Sequence, residues 1–182
     1  LINAELVGAY GHGLSRLKMY CDRINKRVIN PTPKIKIKNI SSSISYVDAD
    51  NSIGFVAADL AIKRAIKNAQ KTGIGLVAVK KSGHYGLSGY YAEQAVKKNL
   101  ITMIYTNAPP AVAPHGALKS LFGTNPICFG CPTGSKIPFI LDTSISMINR
   151  GKIRVAARNN QNIPEGVALD KFGNPTIDAK KA

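Results

Sequence analysis

The chain of 182 residues holds three histidines, and the neighbours of each decide what chemistry it could carry. His12 lies in Gly11-His12-Gly13 at the entry to a helical pattern, with Arg16 four residues on. On a continuous helix that spacing stacks both side chains on one face. An imidazole beside a fixed guanidinium is what reduction of a 2-oxo acid needs. The guanidinium grips the carboxylate through paired hydrogen bonds, and the imidazole protonates the carbonyl oxygen as hydride arrives. The same residues also read as a helix-cap histidine and a solvated arginine.

His84 sits in Ser82-Gly83-His84-Tyr85-Gly86-Leu87-Ser88-Gly89, directly after an apolar strand. Ligands of open α/β sheets gather at the carboxyl ends of strands. Glycines clear side chains from this loop, and Ser88 is placed to cap the next helix, whose amino end favours a phosphate. A tight strand-to-helix turn is the plainer reading. The dinucleotide fingerprint G-x-G-x-x-G is absent, and Gly73-Ile74-Gly75 precedes its strand instead of following it. His115, in Pro114-His115-Gly116, reads as a loop residue. Gly123-Thr124-Asn125-Pro126 and Asp142-Thr143-Ser144 are polar clusters that serve either a ligand or local turn chemistry.

No metal site is expected. Asp48 and Asp50 lack a histidine partner nearby and read as turn residues. Cys128-Phe129-Gly130-Cys131 spells C-x-x-C, but no second ligand pair follows at usable spacing. These cysteines lie in an apolar strand before a Pro-Thr-Gly turn, where a redox pair would open a helix, so they read as core. With Cys21 the three cannot all pair, which points to a reduced, intracellular protein.

The elements that must position these residues follow from periodicity. Segment 1–30 reads as helix, glycine break, helix, with Leu14, Leu17, Tyr20, Cys21 and Ile24 as an apolar stripe. Alternating Lys and apolar residues predict a half-exposed strand over 34–40, with 43–48 as its partner. A helix over 57–71 ends at Gly73, and 76–79 reads as a short buried strand. Then come a helix over 88–98 and a strand over 101–105, an alternation that argues for an α/β layer. Beyond Thr106, prolines break the chain into short strands at 127–131 and 138–141. A loop turning into a helix spans 142–157, and polar turns fill the tail. Two regions result: a helical segment, 1–33, carrying His12 and Arg16, and an α/β cofactor-binding region, 34–182.

Composition narrows the class. Apolar residues make up 45%, which excludes disorder. No apolar run approaches the roughly 18–20 residues of a spanning helix, so no membrane partner is expected. Lys and Arg number 25 against 10 acids, a formal +15. That balance raises an alternative, a basic α/β module that binds a polyanion without catalysis. The basic residues are nevertheless scattered, no Trp is present, and a nucleic-acid partner is not expected. The chain starts at Leu1 inside a helical pattern and stops just after a Gly-Asn-Pro turn, so truncation at both ends is expected.

Taken in order, Gly11-His12-Gly13-Leu14-Ser15-Arg16-Leu17, the turn over 48–55, Ser82-Gly83-His84-Tyr85-Gly86, Thr106-Asn107, Leu121-Phe122-Gly123-Thr124-Asn125-Pro126 and Leu141-Asp142-Thr143-Ser144 resemble the type-2 malate/L-lactate dehydrogenases. That family also includes ureidoglycolate dehydrogenase and diketogulonate reductase. Gly151-Lys152 and Ile163-Pro164-Glu165-Gly166 agree with it. The resemblance implies a non-Rossmann, mixed-sheet α/β dehydrogenase fold, here incomplete, and a cytoplasmic homodimer. It implies interconversion of a 2-hydroxy acid and its 2-oxo acid with NAD or NADP. By position, His12 and His84 match histidines assigned the proton in different members, and Arg16 matches the carboxylate-binding arginine. Ser88, Asp142, Thr143 and Ser144 match cofactor contacts, as do Thr124 and Asn125 more weakly. Two departures stand out: Gly11 replaces the family's usual Ser, and Met147-Ile148-Asn149-Arg150 is bulkier than usual.

Overall fold

The computed structural model describes residues 1–182. The chain divides into two compact units, Leu1–Met103 with Cys128–Leu141, and Ile104–Ile127 with Asp142–Ala182.

In the first unit, a one-turn helix α1 (Ile2–Leu6) is followed by two separate 3₁₀ turns, Tyr10–His12 and Leu14–Arg16, and by α2 (Leu17–Asn25). The expected continuous helix through His12 and Arg16 is therefore absent. Gly13, between the turns, has ψ −146°, which breaks the helical path. The Glu5 carboxylate accepts from the Leu14 N–H at 2.6 Å and so tethers the second turn. Of the predicted stripe only Tyr20 is buried; Leu14 and Leu17 stay exposed.

Strands β1 (Lys36–Asn39) and β2 (Ile44–Ser52) form an antiparallel hairpin, and β2 pairs in parallel with β3 (Leu76–Ser82). The crossover between them is α3 (Gly54–Thr72), which makes a βαβ unit inside a mixed sheet. Small residues let α3 settle on β2. Ala57 and Ile62 of the helix, with Val47 and Ala49 of the strand, are core. Gly73 ends the helix in the left-handed conformation (φ +84°), its N–H on the Ala69 carbonyl. Strand β2 runs past the predicted end because of a bulge, where Asp50 and Asn51 take positive φ. Asp48 and Asp50, expected in a turn, thus lie within strand β2, Asp48 paired with Lys80 and Asp50 at the bulge. The Asp50 carboxylate accepts from the Asn30 amide and the Lys34 N–H, both at 3.0 Å, tying the helical segment to the sheet.

Strand β3 was expected to be buried. It instead leaves Leu76 and Val79 exposed, since α3 covers the sheet from one side only. Helix α4 (Ser88–Val96) buries Tyr91, Ala92, Ala95 and Val96. A second sheet has the order β4 (Thr102–Tyr105), β5 (Ile127–Cys131), β6 (Phe139–Thr143). Gly130 of β5 lies where an added Cβ would stand 3.1 Å from Val96 and Thr102, so α4 packs closely there. Cys128 is buried as expected, Cys131 is half-buried, and Cys21 is exposed.

The second unit is mostly turns. Val112 and Phe122 form an isolated bridge, and α5 (Arg150–Arg158) is capped by Asn149, whose side chain accepts from the Lys152 N–H at 2.9 Å. Ile163 and Ala179 form its small core.

Candidate functional site

The loop after β3 is held from both sides. Ser52 and Ser82 pair in parallel, and the Gly83 N–H donates to the Ser52 carbonyl at 3.2 Å. Gly54, the first residue of α3, packs so closely that an added Cβ would run into the Gly83 and His84 carbonyls. Gly86 has φ +82°, and an added Cβ there would stand 2.7 Å from the Phe55 ring. The backbone on either side of His84 thus has little freedom.

His84 in turn is fixed by two donors on one atom. The Gly86 N–H donates to Nδ1 at 3.2 Å, so Nδ1 carries its lone pair. The Tyr20 hydroxyl, 2.6 Å from the same nitrogen, must then be a donor as well. Tyr20 is buried and makes an edge contact with Phe55, ring centroids 5.0 Å apart. Burial pushes its hydroxyl up to about 12 against the pull of Arg16 and Arg23, so it keeps its proton. The His84 ring therefore carries its hydrogen on Nε2. Burial, then the charges of His12, Arg16 and Arg23, push its pKa down to about 4, which leaves it neutral at pH 7.

His12 stacks on this ring, centroids 5.5 Å apart and planes 14° from parallel. Arg16 donates through Nε to the Gly11 carbonyl at 2.6 Å, with Nη1 3.9 Å from Met19 Sδ. That bond returns the guanidinium to the turn that carries His12. The bond joins residues of two successive 3₁₀ turns, where a single helix face was expected.

Ser88 is the first residue of α4 and does not cap it; Leu87 holds the cap position without a side-chain bond. The Ser88 hydroxyl is buried and lies 2.9 Å from the Tyr85 hydroxyl. The Tyr91 hydroxyl donates to the Tyr85 carbonyl at 2.8 Å, which ties the loop to α4. Sequence reasoning missed Tyr20, Phe55 and Tyr85 as supports. Tyr20 was visible only as an apolar position, since its partner lies 64 residues away.

The remaining candidates lie in the second unit. Asn125 has φ +35° and accepts from the Ala108 N–H at 3.0 Å. The Thr124 carbonyl accepts from the Ile145 N–H at 3.0 Å, which brings the 124–125 loop beside the 142–144 turn. There the Thr143 hydroxyl donates to the Ser144 carbonyl at 3.2 Å, and the Ser144 hydroxyl to the Ser146 carbonyl at 3.3 Å. The structure gathers His12, Arg16, His84 and Ser88 in one unit, and Thr124, Asn125, Asp142, Thr143 and Ser144 in the other.

In a mixed α/β layer, two stacked histidines thus meet just beyond the carboxyl end of β3, the place where open α/β sheets commonly bind ligands. A family model described as malate/L-lactate dehydrogenase matches residues 1–182, and the chain belongs to that family. Among curated relatives, the malate dehydrogenase of Pyrococcus abyssi is 44% identical over 176 residues, 97% of this chain and 48% of its own. The (2R)-3-sulfolactate dehydrogenase (NADP(+)) of Chromohalobacter salexigens is 37% identical over 182 residues, 100% of this chain and 54% of its own. Among solved structures, the malate dehydrogenase of Entamoeba histolytica superposes with a TM-score of 0.94 at 35% identity, over 99% of this chain and 50% of its own. The chain spans about half the length of the relatives it matches. The non-Rossmann mixed-sheet fold read from the motifs is the fold observed.

Proposed function

We propose that the whole protein is an NAD(P)-dependent oxidoreductase that interconverts a small 2-hydroxy acid and its 2-oxo acid. The observation that carries this reading is the cluster of His12, His84 and Arg16, with His84 kept neutral by burial and its tautomer set by two donors on Nδ1. Family membership and the names of the relatives support it.

The geometry supports the following roles. Arg16, anchored through Nε, grips the substrate carboxylate. His84 presents Nε2–H to the substrate oxygen and polarises it as a neutral donor, because an imidazole titrating near 4 is not an acid at pH 7. His12, stacked alongside, moves the proton to or from that oxygen. The N-terminal helical segment, 1–33, thus brings the proton carrier and the carboxylate grip, and the region 34–182 holds the cofactor. Its residues suit a dinucleotide in kind. The hydroxyls of Thr143 and Ser144 and the carboxylate of Asp142 match ribose hydroxyls. Thr124 and Asn125 shape the neighbouring loop, and Ser88 opens a helix whose amino end favours phosphate. When bound, the nicotinamide exchanges a hydride with C2 of the acid. Apolar side chains left exposed on each unit favour a homodimer. The three cysteines form no disulfide, which fits a reducing compartment, for which we infer the cytoplasm.

The test is a panel of 2-oxo acids with NADH and with NADPH on the whole protein. His84→Ala and Arg16→Ala are each expected to lower kcat/KM at least tenfold. His12→Gln is expected to remove the limb of the pH profile that His84→Gln leaves in place. Wild-type kinetics in the His84 and Arg16 variants would reject the site.

A further inference from the structure

A second cluster of charge lies at the other end of α3. Gly54, at the amino end of the helix, touches the His84 loop, whereas Arg64, Lys67 and Lys71 lie 10 to 17 residues further along it. At a rise of 1.5 Å per residue that is roughly 15–25 Å away. The three residues share a helical face with Asn68 and line a cavity of about 250 Å³ closed on its other side by the β1–β2 hairpin.

The cavity's available groups are donors. No carboxylate pairs with Arg64, Lys67 or Lys71. The nearby acids are engaged elsewhere, Asp59 with Lys63 at 2.6 Å and Asp48 with Lys80 and Lys81 at 3.3 and 3.7 Å. A relay of hydrogen bonds fixes the hairpin against the helix. The Asn68 amide, 7% exposed, donates to the fully buried Ser45 hydroxyl at 3.2 Å and to the Ser43 carbonyl at 3.3 Å. The Ser45 hydroxyl donates on to the Asn39 side-chain carbonyl at 3.1 Å. That assignment sets the orientation of the Asn39 amide and leaves its NH₂ as a donor at the cavity wall. The exposed Ser42 completes the rim.

We propose that this cleft binds a small, multiply charged oxyanion of the phosphate or pyrophosphate type. Three cations, an amide and a hydroxyl on a pre-set frame give such an anion charge and directed hydrogen bonds together. The volume lies below the ~300–1,000 Å³ of pockets that hold drug-sized ligands, which suits a small anion. Lys63, one turn from the cluster but turned to Asp59, shows that the convergence is selective and not a uniform basic face. The site stands apart from the His12–His84 cluster and does not depend on its chemistry.

The test is calorimetric titration of the chain with inorganic pyrophosphate and with phosphate, with sodium chloride matched for ionic strength as control. Saturable pyrophosphate binding is expected, at least tenfold weaker in Lys67→Gln/Lys71→Gln. Ser42→Asp, which sets a carboxylate at the rim, is expected to abolish it, and Lys63→Gln to leave it unchanged. Circular dichroism checks that each variant is folded. Heat signals equal to those of chloride, or unchanged affinity in the double variant or in Ser42→Asp, would overturn the proposal.

Discussion

His84 is unusual for a histidine because its Nδ1 receives two donors and its ring is desolvated. This ties the site to stability. The folded pKa of about 4 lies below the ordinary 6.5, so the unfolded chain binds the proton more readily. The contribution is fully present above pH 6.5 and is lost as pH falls towards 4. At full loss it amounts to roughly 3 kcal/mol. Urea unfolding between pH 7 and pH 4 is expected to show this decline, and His84→Asn to flatten it. Tyr20→Phe removes one donor and leaves the packing against Phe55. It is expected to lower kcat/KM of the whole protein about tenfold and to raise the pH at which His84 titrates, which NMR of the imidazole reads directly. An unmoved titration would show that Tyr20 only packs.

At the scale of elements, the junction between β2, α3 and the His84 loop depends on Gly54 having no side chain. Gly54→Ala forces a Cβ onto two carbonyl oxygens, and overpacking of this kind costs typically 1–3 kcal/mol. A lower thermal midpoint is expected, with a larger loss of activity than the stability change alone produces, because the displaced backbone is that of His84. Much of this junction was legible beforehand. The helix expected over 57–71 is found as Gly54–Thr72, because its alanines and closing Gly73 are local signals. The strand at 127–131 is found where an apolar run between turns placed it. Periodicity failed where tertiary contacts decide. The spacing of His12 and Arg16 was right for a helix that Gly13 interrupts, and Ser88 had the composition of a cap without its geometry. Tyr20 counted as one more apolar position, since nothing near it in sequence reveals the hydroxyl's partner.

Across the molecule, apolar side chains lie exposed in both units: Met103 and Phe139 in the first, Tyr105, Leu118 and Phe172 in the second. Surfaces of this kind seek cover. The purified chain is expected to bind an apolar fluorescent dye in its native state and to elute in size exclusion above its mass of 19.5 kDa. Elution at the monomer mass without dye binding would contradict this. The +15 charge acts in the opposite sense, opposing association at low salt, so the apparent size is expected to grow as salt screens it.

The bond between Tyr20 and His84 has a consequence for the order of events during folding. The β2–α3–β3 unit pairs strands 30–32 residues apart, whereas this bond joins residues 64 apart. The entropy of that closure is met only after the sheet exists to receive the helical segment. The Tyr20–His84 contact is therefore expected to form after the sheet that receives it, which pulsed hydrogen exchange of the β2 and α2 amides would time.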